Sequence, residues 1–149
     1  MKKIALMLIP FILLSTLCAC QSEVSADQML RDFLSAYGAE GIIYSSECVE
    51  GDEGYLPAEM LDKIYVYSGR FPENYAIFLN SHADYGSECA VFVSEDAEMR
   101  LSVEEMCLER IRLLSGGDNA FVARSGNVVF YSTMQDRAKA EEIFKKIIK

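Results

Sequence analysis

Few side chains in this sequence join a reactive type to a spacing that supports chemistry. His82 is the only histidine, with Ser81 beside it and Asp84 two residues on, the residue types of a nucleophilic hydrolase. Neighbours on an extended chain point in opposite directions, so His82 is poorly placed to relay a proton from Ser81. Catalytic triads draw their members from distant segments brought together by the fold. A hydrolase joining His82 to a serine or cysteine elsewhere is therefore one reading, and a solvated loop histidine is the other. A second group is acidic: Glu47, Glu50, Asp52 and Glu53 lie in the stretch 46–56, which also carries Gly51 and Gly54. Carboxylates are hard donors, and weak extracellular calcium sites use such loops. The alternating acids, sixth-position glycine and closing glutamate of an EF-hand loop are missing, so a solvated acidic loop is the competing reading.

Cys48, Cys89 and Cys107 show no Cys-x-x-Cys spacing, and with one histidine they do not make a zinc-finger pattern. An odd number of thiols permits at most one internal bridge, for which Cys48–Cys89 is the pair to consider; otherwise all three are buried thiols. Cys107 falls on an apolar helical stripe and reads as a small core residue. Tyr65, Tyr67, Phe71 and Tyr75 could stack on a sugar or peptide, but the chain has no tryptophan. Core filling is the better account of these rings. No cofactor is implied.

Cys20 offers a different chemistry. The chain opens Met1-Lys2-Lys3, and residues 4–17 are apolar except for Pro10, Ser15 and Thr16. A basic head followed by a short apolar run reads as a secretory signal peptide. It falls short of the roughly 20 apolar residues of a transmembrane helix. The run ends Leu17-Cys18-Ala19-Cys20, which resembles a lipobox: leucine three positions before the cut, a small residue just before it, and cysteine just after. The resemblance implies a diacylglyceryl thioether on Cys20 and cleavage between Ala19 and Cys20 by a lipoprotein signal peptidase. Sulfur suits that role because its thiolate is readily alkylated. An ordinary signal peptide cut after Ala19 is the alternative. Two acyl chains hold a protein on a bilayer stably where one does so only marginally.

The expected organisation is thus a signal peptide over 1–19, a lipidated cysteine and brief tether over 20–24, and one domain over 25–149. Removing residues 1–19 takes two lysines and leaves 130 residues with 12 basic and 23 acidic side chains, a formal charge of −11. That charge excludes a nucleic-acid partner, which needs a basic footprint. It also disfavours docking on anionic lipid, so the acyl group must supply the membrane attachment on the extracytoplasmic face.

Hydrophobic periodicity then places the elements. Ser25 and Gln28 form a capping-box pattern before Met29, Leu30, Phe33, Leu34 and Tyr37, which predicts a helix over 26–37. A short strand over 42–45 is expected, then the acidic loop, then a helix opened by Pro57 that buries Met60, Leu61 and Ile64. Residues 75–80 and 89–94 read as strands about a polar loop. Val103, Met106, Cys107, Ile111 and Leu114 mark a helix ending at Gly116-Gly117. Strands over 120–124 and 127–132 flank a Ser125-Gly126 turn, and a last helix over 134–149 buries Ala140, Ile143, Phe144 and Ile147. Lysines near its end complement the helix dipole.

The predicted fold class is α+β: an antiparallel sheet of about four strands in a doubled ββα arrangement, preceded by an N-terminal helix. Ala90-Val91-Phe92-Val93 and Val128-Val129-Phe130-Tyr131 are the equivalent strands. Their helices are expected on one face and the N-terminal helix on the other, because the strands are apolar at nearly every residue.

Tyr75-Ala76-Ile77-Phe78-Leu79, Ser87-Glu88-Cys89-Ala90-Val91-Phe92-Val93, the helix around Glu104 to Arg110, and Asn127-Val128-Val129-Phe130-Tyr131 resemble a family of small Gram-positive lipoproteins, domain of unknown function 4358. The resemblance covers most of residues 25–149. It implies the anchor and the α+β architecture and assigns no catalytic residue; Glu88 stands at a recurring family position. The function expected from all this is a non-enzymatic binding or assembly module of the cell envelope, with an envelope protein as partner. The alternatives are an envelope hydrolase using His82 and a small solute-binding lipoprotein. The latter resembles two-lobed chains much longer than this one.

Overall fold

The computed structural model describes residues 24–67, 69–79, 87–114 and 117–148. Helix α1 (Ala26–Tyr37) begins where Ser25 accepts a hydrogen bond from the backbone N–H of Gln28. The Gln28 side chain does not return to close the box; it reaches forward to Asp32. Strand β1 (Ile43–Ser45) follows, then α2 (Ala58–Ile64), β2 (Asn74–Leu79) and β3 (Glu88–Val93). Next come α3 (Ala97–Leu113), a 3-10 turn (Gly117–Asn119), β4 (Phe121–Ser125), β5 (Val128–Ser132) and α4 (Arg137–Ile147). Gly126 turns the β4–β5 hairpin at φ 57°, a left-handed conformation that glycine adopts without strain. Among the described residues, no helix is long and apolar enough to cross a membrane.

The sheet is antiparallel throughout, with strand order β1-β2-β3-β5-β4. The fold is therefore α+β as expected, with five strands instead of about four. The added strand is β1, short and at the edge, pairing Ile43 with Phe78 and Ser45 with Ala76. Every residue of β3 and β5 is buried, so both faces of the central strands are covered. Side chains alternate between the faces. Cys89, Val91, Val93, Val128 and Phe130 join a core with Leu30 and Phe33 of α1 and Ala140 and Phe144 of α4. Ala90, Phe92, Val129 and Tyr131 join a second core with Leu61, Tyr65, Val103, Met106 and Cys107, from α2, its following residue and α3.

That partition corrects the expected helix placement. α3 and α4 were to share a face with α1 opposite; instead α1 and α4 share one face, and α2 and α3 cover the other. The reason lies in the register. Val91 pairs with Phe130 and Phe92 with Val129, so the motif-equivalent Phe92 and Phe130 point to opposite faces. In a structure of period two, an offset of one residue exchanges inside for outside. Each helix follows its own phenylalanine, and the two ββα segments are not copies of one packed unit.

Two smaller corrections concern helix ends. α2 has only seven residues, so little more than one position per turn reaches the core. Leu61 is buried, while Met60 is 41% exposed. α4 starts at Arg137, not 134, because the Asp136 side chain accepts from the N–H of Lys139 and Met134 is held earlier by Ser132. Asp96 caps α3 in the same way, accepting from the N–H groups of Glu98 and Met99. Asp96→Ala is expected to cost about 1 kcal/mol, read as a lower urea midpoint at unchanged slope.

Candidate functional site

Glu88 opens β3 and shares a face with Ala90 and Phe92, so its carboxylate points under α3. The side chain is only 6% exposed. Burying a carboxylate is strongly unfavourable unless charge and hydrogen bonds compensate it, and here the compensation comes from three elements. Arg110 of α3 grips both oxygens, Nε to Oε1 at 2.7 Å and Nη2 to Oε2 at 2.8 Å. The Tyr131 hydroxyl of β5 donates to Oε1 at 2.7 Å. Tyr65, just past α2, shares a hydrogen bond of 2.9 Å with Tyr131, and its ring lies 6.0 Å from the Arg110 guanidinium carbon. The remaining arm of Arg110, Nη1, donates to the carbonyl of Ile64 at 3.0 Å. The Glu88 backbone is held as well, its N–H donating to the Thr133 hydroxyl and its carbonyl accepting from the Thr133 N–H.

The electrostatics follow from this packing. The hydrogen-bonded charge of Glu88 drives the Arg110 pKa upward against the opposing effect of burial. Burial, reinforced by the Glu88 charge, pushes the Tyr65 hydroxyl well above its ordinary range. Tyr131 is raised well above that range too, by burial first, then by Tyr65 and Glu88. Both phenols are therefore neutral at physiological pH and serve as donors. The three hydrogen bonds donated to the Glu88 carboxylate hold it in place between α3 and β5. The arrangement locks α2, α3, β3 and β5 together at one end of the sheet. It also fixes the point where the chain, having left β2 at Leu79, re-enters the sheet.

Among the described residues, every buried side-chain nitrogen and oxygen has a partner. A raised tyrosine pKa has a consequence for stability. The unfolded chain ionises its phenols near the ordinary value of about 10, while the folded chain keeps the protons of Tyr65 and Tyr131. Their contribution is fully present below that pH and is lost as pH rises toward the folded values. The urea midpoint is thus expected to fall between about pH 9 and about pH 11, and to fall less in Tyr65→Phe.

His82, Ser81, Asp84 and Cys20 lie outside the described residues. Glu47, Glu50, Asp52 and Glu53 are all exposed, and they do not converge. Glu47 accepts from the Ser25 hydroxyl at 2.5 Å, and Asp52 accepts from the N–H of Val49 at 2.9 Å. Among the described residues, no group of three or more His, Cys, Asp or Glu is placed to hold a metal ion. The acidic loop is instead fastened to the fold. Gly54 gives its carbonyl to the N–H of Ser45, and a Cβ there would collide with the carbonyl oxygen of Ile43.

Cys48, Cys89 and Cys107 are free thiols, so the Cys48–Cys89 bridge considered from sequence is not formed. Cys89 faces the α1–α4 core and Cys107 the α2–α3 core. Cys48 is half-buried in the loop, so it departs from the expectation that unbridged cysteines are all buried. Burial pushes the Cys89 and Cys107 thiols well up. A thiol reagent is expected to modify Cys48 in the folded chain and to reach Cys89 and Cys107 only after denaturation.

The aromatic stretch serves the interior. Phe71 packs edge-on against Tyr67, Tyr75 and Phe92, and Tyr65 packs edge-on against Phe92 and Tyr131. In the sequence Glu88 is marked only by the family resemblance; periodicity leaves it at the end of a polar loop and misses its partners. The available signal was a charged residue opening the strand Glu88-Cys89-Ala90-Val91-Phe92-Val93, where burial on both faces demands a cation. The strand itself does not say that the cation stands 22 positions later on a helix. Comparisons with protein-family models, with curated proteins and with solved structures found no match for this chain.

Proposed function

We propose that this chain is the precursor of a lipoprotein whose single α+β domain is held at the extracytoplasmic face of the cell membrane by acyl chains on Cys20. There it serves as a non-enzymatic binding or assembly module. The observation that carries the reading is the run Leu17-Cys18-Ala19-Cys20 at the end of a basic-headed apolar segment. The position of the domain agrees with it, since α1 begins at Ala26, six residues after that cysteine. The resemblance to the small Gram-positive lipoproteins of domain of unknown function 4358 belongs to the same proposal. Glu88 serves as a structural tie, its carboxylate held by Arg110 and Tyr131.

Cys20→Ser expressed in the native host tests the anchor. The wild-type protein should stay with membranes at high salt and carry the mass of a diacylglyceryl group on a chain starting at Cys20. The variant should lose that mass and leave the membrane fraction. A variant that stays membrane-bound with unaltered mass defeats the reading. Hydrolytic activity of the purified domain that disappears in His82→Ala would replace the binding role with an enzymatic one.

A further inference from the structure

The structure fixes where the tether meets the domain. The side-chain amide of Asn74, the first residue of β2, clamps the chain on either side of Ser25. Its Nδ2 donates to the carbonyl of Val24 at 2.8 Å, and its Oδ1 accepts from the N–H of Ala26 at 3.0 Å. Ser25 itself donates to Glu47. Asn74 pairs with Val93, the last residue of β3, and Val93 pairs with Val128, the first of β5. The tether therefore enters at the sheet end made by the start of β2, the end of β3 and the β4–β5 turn. An open cleft of about 970 Å³ lies at this end, with Val24, Phe71, Asn74, Met99 and Asn127 among its walls. The Glu88–Arg110 tie closes the opposite end, one length of β3 away.

We infer that the domain stands on the bilayer with a defined polarity: the Asn74 end and its cleft face the lipid headgroups, and the Glu88–Arg110 end faces outward. The inference rests on lipidation of Cys20. Three residues lie between Cys20 and Val24, where the clamped segment begins, so four Cα–Cα steps give a reach of at most about 14 Å. The six residues of β3 span about 17 Å at the usual strand rise. A tether shorter than the sheet cannot let the domain stand inverted, with the far end on the membrane and the clamped end one sheet length above it. The partner met by the near end is thus the lipid surface, and any envelope protein has access to the far end and the sides.

The absence of tryptophan from the chain allows single reporters in the lipidated protein. Glu95→Trp marks the near end, Leu113→Trp marks the far end, and both positions are exposed. Glu98→Trp, in the first turn of α3, is a second near-end reporter should Glu95→Trp fold poorly. In phosphatidylcholine vesicles carrying dansyl-headgroup lipid, transfer from the near-end reporter should exceed that from the far-end reporter by about threefold or more, given an end-to-end separation of about 17 Å. Asn74→Ala should bring the two signals together while leaving the circular dichroism spectrum native. Equal or reversed transfer in protein whose mass shows the diacylglyceryl group overturns the polarity and leaves the lipoprotein reading standing. Absence of that mass overturns both. A ratio that Asn74→Ala leaves unchanged overturns the role given to the clamp.

Discussion

Arg110→Met is expected to lower the free energy of unfolding by about 3–5 kcal/mol, the usual consequence of leaving one partner of a buried ion pair without the other. The methionine keeps much of the aliphatic volume and removes all three donors. Glu88 would then keep its burial and the Tyr131 hydrogen bond but lose the charge that offsets its desolvation. The Ile64 carbonyl at the end of α2 would also lose its donor. Small domains carry roughly 5–15 kcal/mol of stability, so the variant should unfold well below the wild-type temperature. A double-mutant cycle separates the ion pair from packing. Glu88→Gln in the Arg110→Met background should recover part of the loss, because an uncharged amide is less costly to bury than a lone carboxylate. If Arg110→Met unfolds within about 1 kcal/mol of wild type, the tie is no more than a surface pair, for which that value is typical.

Phe130→Ala should destabilise by a comparable amount, about 3–5 kcal/mol. The Phe130 ring is fully buried at the centre of the α1–α4 face. Its centroid lies 4.8 Å from Phe33 of α1, 4.6 Å from Phe144 of α4 and 5.7 Å from Phe121 of β4. The deletion opens a cavity bounded by three elements that cannot all close on it, which places the loss at the upper end for a large core residue. Phe130→Leu should cost clearly less, since more of the volume stays filled. Urea titrations give the ordering; a native-like midpoint for Phe130→Ala would contradict the packing. The same experiment on Phe92 probes the opposite face, where Tyr65, Phe71 and Tyr131 surround the ring.

These two positions also show where sequence and structure part. Both phenylalanines sit in runs that read identically, apolar at every residue, and the runs suggested one repeated unit. Local pattern says that such a strand is covered on both sides. It does not say which side chain faces which helix, because that depends on the register between β3 and β5, a pairing of residues nearly 40 apart. The helix α1 was legible to the residue, since its cap, its stripe and its stop are all contained within fourteen consecutive positions. α2 was legible as a helix but not in its buried face, because seven residues give periodicity too little length to define a stripe.

The Glu88 site follows the same division. Its charge and its place beside an apolar run were visible along the chain, and the family resemblance alone marked it. Arg110, Tyr131 and Tyr65 were visible only as a helical arginine and two aromatic residues. Their meeting is a product of α3 and α2 crossing the same face of the sheet. What the sequence determined by itself is whatever depends on neighbours along the chain: the cap and stripe of α1, the apolar runs of the central strands, the acidic loop, and the cysteine-terminated apolar segment that motivates a lipid anchor. What only the tertiary structure decided is whatever depends on residues far apart in sequence: the pairing of β1 onto the sheet edge as a fifth strand, the opposite placement of α3 and α4, and the partners of Glu88. The physical reason is that backbone propensity acts over a turn or a strand, whereas burial and charge pairing act between surfaces that exist only once the sheet has formed.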